Sequence, residues 1–218
     1  MGLPIRQPIK LIIFDLDGTL VDSIADIAAA LNYTLTSVGL PDLTIQEVKG
    51  YVGEGVDNLL MKATEGRLIE KMPLIKETFI DYYLRHVMDS TRPYDKVVQT
   101  LESLSGYKKA VVSNKTEMLS KQLLTGLAMA QHFDLIIGSD TLNERKPSPV
   151  PILKAMEILD ATPHETLMVG DSSYDIEAGR AASVTTIGVA YGYRPVDTLK
   201  DADFIINKEM SELLQILG

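Results

Sequence analysis

The stretch IKLIIFDLDGT, residues 9–19, sets the fold of this chain and places its most reactive side chains. Its first part, Ile9 to Phe14, is an apolar run rich in β-branched residues, which predicts a strand buried on both faces. Asp15 and Asp17 follow where this strand ends, and alternate side chains of an extended chain point to the same side. Both carboxylates can therefore reach one substrate, one as a nucleophile and the other as a proton carrier.

Gly18 and Thr19 complete this motif. Gly18 lets the backbone turn sharply past a bound group, and Thr19 offers a hydroxyl to a phosphate oxygen. Taken alone, the stretch has an equally good alternative interpretation, in which Asp and Gly only form a turn.

Short apolar runs similar to the first one recur along the second half of the chain and predict further strands. Helical patterns lie between them, and strands that alternate with helices indicate a parallel sheet covered on both faces. We therefore predict an α/β, doubly wound core. The predicted strands cover residues 110–112, 135–137, 167–169, 185–189 and 204–206, and the predicted helices cover 116–124, 150–159 and 173–182.

The chain from about residue 23 to 89 breaks this alternation, since it has helical periodicity and no convincing strand. Further helical stretches are predicted at 56–63 and 68–87, with a flexible turn marked by Gly50, Gly53 and Gly55. We expect an all-helical insertion over residues 21–90, and a core made of residues 1–20 and 91–218. The insertion is acidic, with six Lys or Arg against eleven Asp or Glu.

Composition excludes several classes of protein. A net charge of −9 argues against a nucleic-acid or anionic-membrane surface. No stretch approaches the roughly 18 to 20 apolar residues that cross a bilayer, and the N-terminus has no apolar signal core. Without cysteine there is no disulfide framework and no thiol nucleophile. We expect a cytoplasmic protein with no nucleic-acid or membrane partner.

A second cluster, Ser113-Asn114-Lys115, follows the predicted strand at 110–112. It brings a hydroxyl and an amide to a helix N-terminus, an arrangement that can hold an anion. The alternative is purely structural, because Asn114 with Glu117 also fits a capping box for the helix.

Two more clusters add a cation and two carboxylates. Lys146 precedes Pro147, which biases its backbone towards an extended conformation, so that its ammonium group can neutralise phosphoryl charge. Asp171 follows the strand at 167–169 and is placed to join Asp15 in an oxygen site suited to Mg²⁺. Asp175, in the first turn of a helix, can orient Lys146 or a metal-bound water. A solvated loop lysine and an aspartate that only stabilises the helix dipole remain the alternatives.

These clusters occur in one order: Asp15–Ser23, Ser113–Lys115, Lys146–Pro147 and Gly170–Asp175. In this the chain resembles the haloacid dehalogenase superfamily, specifically its phosphoglycolate-phosphatase-like branch, over essentially its whole length. The resemblance implies a Rossmann-like core with a helical cap domain. The stretches at 138–142 and 191–193 also resemble that branch, whereas Asp95 and Ser183 depart from it, standing where the family commonly has Gly.

The resemblance also implies roles for individual residues. Asp15 is expected to be the nucleophile and a metal ligand, and Asp17 the general acid and base, with its backbone carbonyl on Mg²⁺. Asp171 is expected as a further ligand, with Asp175 next to the metal site. The phosphoryl oxygens are expected to contact Thr19, Ser113, Asn114 and Lys146.

The implied activity is the hydrolysis of small phosphate monoesters through an aspartyl-phosphate intermediate, with 2-phosphoglycolate first among the candidate substrates. The partner is then a small phosphorylated metabolite, and the chain a monomer or homodimer. Lys49, Arg67 and Arg85 are candidate cations for the substrate carboxylate. A pyrophosphatase, another small-molecule phosphatase and a sugar phosphomutase remain alternatives. Two other functions fit the chain less well. Asp17 argues against dehalogenation, which needs no proton donor at that position, and the helical insertion argues against a phospho-acceptor receiver module, which has no cap.

Overall fold

The computed structural model of the chain describes residue 5 and residues 8–218. Its centre is a six-stranded sheet in the order β5-β4-β1-β6-β7-β8, in which every neighbouring pair is parallel. A separate antiparallel ribbon joins β2 and β3. The strands are β1 (Leu11–Phe14), β2 (Val21–Asp22), β3 (Arg92–Pro93), β4 (Lys108–Val112), β5 (Leu135–Ile137), β6 (Thr166–Gly170), β7 (Thr185–Val189) and β8 (Phe204–Ile206).

Helices cover the sheet and fill the chain between β2 and β3. Four of the helices precede β3 and five follow it. The α-helices are α1 (Ile24–Ser37), α2 (Ile45–Tyr51), α3 (Val56–Ala63), α4 (Met72–His86), α5 (Val97–Ser103), α6 (Glu117–Gly126), α7 (Val150–Leu159), α8 (Ser173–Ala181) and α9 (Glu212–Leu217). The predicted α/β class with a doubly wound parallel sheet is confirmed, and so are the strands predicted from the apolar runs.

The four residues of β1 are fully buried, as expected for a central strand covered on both faces. Ile12 and Phe14 belong to a large apolar cluster that continues into the helices before β3, whereas Leu11 and Ile13 pack with α7. Successive side chains of β1 thus point to opposite faces of the sheet and contribute to a separate apolar core on each face.

Register aligns the ends of the three central strands. Phe14 of β1 pairs with Val111 of β4 and with Val169 of β6. The residues that follow these strands therefore meet at one edge, the carboxyl edge where open α/β sheets bind ligands. Asp15, Ser113 and Asp171 all lie there.

The chain leaves the sheet region through β2 and returns through β3, with Val21 opposite Pro93 and Asp22 opposite Arg92. Buried Asp26, in the first turn of α1, accepts hydrogen bonds from the backbone N–H groups of Ser90 and Thr91. These bonds hold the segment that leads into β3 against the start of α1. Residues 24–89 contain helices and no strand. Their division from the core at residues 20 and 91 stays a prediction.

The two departures from the family pattern fall in tight turns. Ser183 ends the α8 region in the left-handed conformation, at φ 59°, where glycine would be unstrained. After Asp95, the left-handed residue is Lys96, at φ 61°. Within the described chain, no helix has the length and apolar character needed to span a membrane.

Candidate active site

Three carboxylates converge at the carboxyl edge of the sheet. Asp15 follows β1, Asp171 follows β6, and Asp175 lies in the first turn of α8. One oxygen from each lies within 4.8 Å of the others, and all three side chains are largely buried. Such a set of hard oxygen atoms at short range is the kind that Mg²⁺ prefers.

Lys146 lies between two of these carboxylates. Its Nζ is 2.8 Å from Asp15 Oδ1 and 2.6 Å from Asp175 Oδ1, and the side chain is almost wholly buried. The peptide bond that joins Lys146 to Pro147 is cis. Burial alone would lower the pKa of Lys146, but the charges and hydrogen bonds of Asp15 and Asp175 outweigh it and raise that pKa to about 12. The ammonium group is therefore permanently charged.

Asp175 also caps its own helix. Its Oδ2 accepts hydrogen bonds from the Ser172 backbone N–H and hydroxyl, while its Oδ1 contacts Lys146. The structural and functional interpretations of this aspartate are thus compatible. One carboxylate anchors α8 and orients the buried lysine.

One lysine does not balance this cluster. Burial, followed by the charge of Asp175, raises the pKa of Asp15 to about 6 in spite of Lys146. Burial and the charges of Asp15 and Asp175 raise the pKa of Asp171 well above its ordinary value. Counting Asp17, the edge has four carboxylates against the ammonium groups of Lys115 and Lys146. The residues present therefore fit a divalent cation, which would restore the balance of charge.

Two glycines enclose the Asp171 carboxylate. A Cβ built on Gly18 would lie 2.3 Å from Asp171 Oδ2, and one on Gly192 would lie 2.3 Å from Asp171 Cβ and 2.5 Å from the Gly18 carbonyl oxygen. Gly18 also has φ 89°, which disfavours any other residue. The backbone N–H of Tyr193 donates to Asp171 Oδ2 at 2.7 Å. The loop at 192–193 thus fixes Asp171, a role that could not be predicted from the spacing of residues along the chain.

The residues expected to hold a phosphoryl group lie around these carboxylates. Thr19 is fully buried and its hydroxyl has no hydrogen-bond partner in the described part of the chain, which leaves a polar atom available to a ligand. Ser113 and Asn114 lie directly after β4, and the Asn114 Oδ1 is likewise buried without a partner. Unsatisfied polar atoms at this depth are costly unless a bound group completes them.

Asn114 does not cap α6, so the structural alternative for this residue was wrong. The N-cap of α6 is Thr116. The Asn114 Nδ2 donates to the carbonyls of Gly53, 2.8 Å away, and Lys146, 2.9 Å away. This amide therefore joins the lysine loop to the turn between α2 and α3.

Lys115, to which the sequence pattern assigned no role, contacts the predicted proton carrier Asp17. Its Nζ lies 2.8 Å from Asp17 Oδ1 and 2.6 Å from Asp17 Oδ2, and Ser23 Oγ donates to Oδ1 at 2.5 Å. Only its position next to Ser113 and Asn114 could have drawn attention to it. The structure separates two ion pairs, Asp15 with Lys146 and Asp17 with Lys115.

A cavity of about 50 Å³ lies between the sheet edge and the helices that precede β3. Among the described residues that line it, Lys115 is the one cation, and the candidates Lys49, Arg67 and Arg85 are not part of this lining. The polar wall is Asp17, Asn114 and Lys115, and the apolar wall includes Ile27, Val52, Val56, Leu59, Phe79 and Tyr83. The three candidate cations contact a Tyr193 ring, Glu65 and the Asp81 carbonyl instead.

Comparison with known proteins agrees with this geometry. Residues 12–189 match the family described as haloacid dehalogenase-like hydrolase. A phosphoglycolate phosphatase of Aquifex aeolicus is 42% identical over 95% of this chain and 96% of its own length. One of Chromobacterium violaceum is 40% identical over 96% of each chain.

Solved structures give the same result. The crystal structure of a predicted phosphoglycolate phosphatase from Haemophilus somnus 129pt superimposes with a TM-score of 0.89 at 33% identity, covering 96% of this chain and 98% of the other. The resemblance inferred from the four clusters is therefore confirmed, and the chain belongs to the haloacid dehalogenase-like hydrolases.

Proposed function

We propose that this chain is a Mg²⁺-dependent phosphatase that hydrolyses 2-phosphoglycolate through an aspartyl-phosphate on Asp15. The observation that carries the proposal is the cluster of Asp15, Asp171 and Asp175 around Lys146, next to the unpartnered hydroxyl of Thr19. We choose 2-phosphoglycolate as the proposed substrate because relatives of this chain are named phosphoglycolate phosphatase. We further propose that the enzyme acts in the cytoplasm, a setting suited to a chain without cysteine, as a monomer or homodimer.

The proposed ligands of Mg²⁺ are Asp15, Asp171 and the backbone carbonyl of Asp17. When bound, the ion neutralises charge on the phosphoryl oxygens and on the carboxylates that face them. Asp175 holds Lys146 beside Asp15, so the ammonium group is fixed before substrate arrives. Thr19, Ser113 and Asn114 supply hydroxyl and amide groups for the remaining phosphoryl oxygens.

In the first step the carboxylate of Asp15 attacks phosphorus in line with the ester bond. A bond forms between Asp15 Oδ and phosphorus as the bond from phosphorus to the ester oxygen breaks. The electron pair of that bond goes to the leaving oxygen, and protonated Asp17 donates its proton there. The products of this step are the free alcohol, an aspartyl-phosphate and an Asp17 carboxylate.

In the second step water attacks the phosphorus of the aspartyl-phosphate. Asp17, now a carboxylate, takes a proton from this water, and the bond from phosphorus to Asp15 breaks. Inorganic phosphate leaves, and Asp15 and Asp17 return to their starting states. One carboxyl group thus serves as acid and then as base, and Asp17 regains from water the proton that it gave to the alcohol.

Residues 21–90 are proposed as the cap that selects the alcohol and excludes water from the site. The cavity of about 50 Å³ beneath these helices favours a small leaving group. A volume this small suits a short carbon skeleton rather than a nucleoside or a sugar, which supports a small phosphate monoester over a sugar phosphomutase substrate.

A panel of phosphate compounds tests the proposal. Purified enzyme is offered 2-phosphoglycolate, pyrophosphate, glucose 1-phosphate and p-nitrophenyl phosphate, and released phosphate is measured with Mg²⁺ and with excess chelator. We expect the highest kcat/KM on 2-phosphoglycolate and loss of all activity in chelator. Pyrophosphate as the best substrate would overturn the substrate, and full activity in chelator would overturn the metal.

A further inference from the structure

The ion pair between Lys115 and Asp17 is the contact at the sheet edge that the two-step reaction does not itself require. Lys115 follows Asn114 in the turn between β4 and α6, and Asp17 follows β1, 98 residues earlier. The Lys115 side chain is 6% exposed and that of Asp17 is 11% exposed. Burying two charges costs desolvation free energy that their attraction does not always repay, so a buried ion pair is weak evidence for stability alone and points to another role.

The contact fixes the orientation of Asp17. Lys115 Nζ contacts both carboxylate oxygens, at 2.8 and 2.6 Å, and Ser23 Oγ contacts Oδ1. These two donor groups make three contacts with the Asp17 oxygens, so rotation about the last side-chain bond of Asp17 would break at least one of them.

Lys115 also contacts the helices that precede β3. Its Nζ lies 4.9 Å from the ring centroid of Tyr83, a fully buried residue of α4. The negative face of an aromatic ring attracts an ammonium group, and the attraction is strongest where water is excluded. Tyr83, Lys115 and Asp17 all line the cavity, so a chain of contacts runs from the helical insertion through Lys115 to Asp17.

We propose that Lys115 is a positioning residue for this reaction: it holds the Asp17 carboxyl group towards the cavity, so that Asp17 meets the leaving oxygen and then the attacking water in one orientation. Lys115 makes no covalent contact with the substrate and transfers no proton. The inference rests on the proposed function, because it assigns to Lys115 a role that acts through the acid and base function of Asp17.

Substitution of Lys115 tests this through the separation of kcat from KM. Lys115→Met is expected to lower kcat by about 10²-fold, the scale of a misplaced catalytic group, with little change in KM. In single-turnover release of the alcohol, which reports the first step alone, the rate should fall similarly for 2-phosphoglycolate and ethyl phosphate, which both release a poor leaving alkoxide, and less for p-nitrophenyl phosphate. Lys115→Arg, which keeps the charge, should recover part of kcat. Lys121→Met is the matched control and should behave as wild type, since Lys121 is an exposed lysine of α6, the helix that follows Lys115, and pairs with Glu117.

A double-mutant cycle makes the assignment specific to Asp17. If Lys115 acts through Asp17, Lys115→Met should lower kcat in the wild-type background and leave it nearly unchanged in Asp17→Asn. The double variant removes both charges together, so it avoids a lone buried charge and is expected to fold. The wild-type rates on the three esters report separately on the proposed function.

Two results would overturn the proposal. A rise in KM for 2-phosphoglycolate alone, with kcat unchanged on every ester, would make Lys115 a ligand of the substrate carboxylate. Equal falls of kcat in the wild-type and Asp17→Asn backgrounds would show that Lys115 acts independently of Asp17.

Discussion

Replacing the nucleophile should stabilise the metal-free protein. Asp15 is buried beside Asp171 and Asp175, and the resulting rise of its pKa, from the ordinary 3.8 to about 6, corresponds to about 3 kcal/mol of unfavourable free energy in the ionised form. Asp15→Asn removes that charge while keeping the shape of the side chain, and Lys146 retains its contact with Asp175. We expect the variant to gain up to about 3 kcal/mol in free energy of unfolding at pH 8 in chelator.

The sign of the effect follows from proton binding. Between pH 3.8 and about 6 the folded protein keeps a proton on Asp15 that the unfolded chain has released. The folded state then binds more protons than the unfolded state, so wild-type stability falls as pH rises through this window. The advantage of Asp15→Asn should be largest at pH 8 and about half as large at pH 5, where the wild-type carboxyl group is mostly protonated.

Urea unfolding followed by circular dichroism measures both quantities. Wild type and Asp15→Asn are compared at pH 5 and pH 8 in chelator, and again with Mg²⁺. Mg²⁺ at 100 times its Kd should add about 2.7 kcal/mol to the wild type and little to the variant, which removes most of the difference in stability between them at pH 8. Asp57→Asn, an exposed aspartate paired with Lys76, is the control and should change stability by less than about 0.5 kcal/mol.

The reasoning is refuted if Asp15→Asn is no more stable than wild type at pH 8 in chelator. It is also refuted if the gain is the same at pH 5 and pH 8. In that case the charge of Asp15 would not be its cause.

Three further predictions concern catalysis. Activity should require Mg²⁺ and be poorly supported by Ca²⁺, whose looser coordination misplaces the nucleophile, as a titration of each metal into chelated enzyme will show. Asp17→Asn should slow the first-step cleavage of 2-phosphoglycolate by about 10²–10⁴-fold and that of p-nitrophenyl phosphate much less, as measured by single-turnover release of the alcohol. Equal slowing of both esters would assign Asp17 to the metal site alone. Gly192→Ala should raise the Mg²⁺ concentration for half-maximal activity by about 10- to 100-fold, because the new Cβ would displace Asp171, whereas Gly106→Ala, which meets nothing within 4 Å, should leave it unchanged.

The sheet and the meeting of Asp15 with Asp171 could be predicted because local patterns determine both. Apolar runs predict strands, parallel pairing puts their carboxyl ends at one edge, and the residues that follow must lie close together. The contact of Asp175 with Lys146 was also within reach, since one lies in a first helical turn and the other in a loop restrained by Pro147.

The contacts that depend on side-chain packing between distant elements could not be predicted. Lys115 and Asp17 are 98 residues apart, and nothing in either local motif indicates their pairing. The amide of Tyr193 reaches Asp171 only because Gly18 and Gly192 leave room for the backbone. Asn114 fits a capping box by spacing, and only the observed N-cap at Thr116 excludes it.

The most direct test of the central claim is to trap the aspartyl-phosphate. Asp17→Asn should accumulate it on p-nitrophenyl phosphate, because the first step needs little acid assistance and the second step needs Asp17 as base. After an acid quench, intact mass should show one added phosphoryl group per chain, on the peptide that contains Asp15, and Asp15→Asn should show neither adduct nor turnover. Turnover without an adduct, or a phosphoryl group on another residue, would contradict the account.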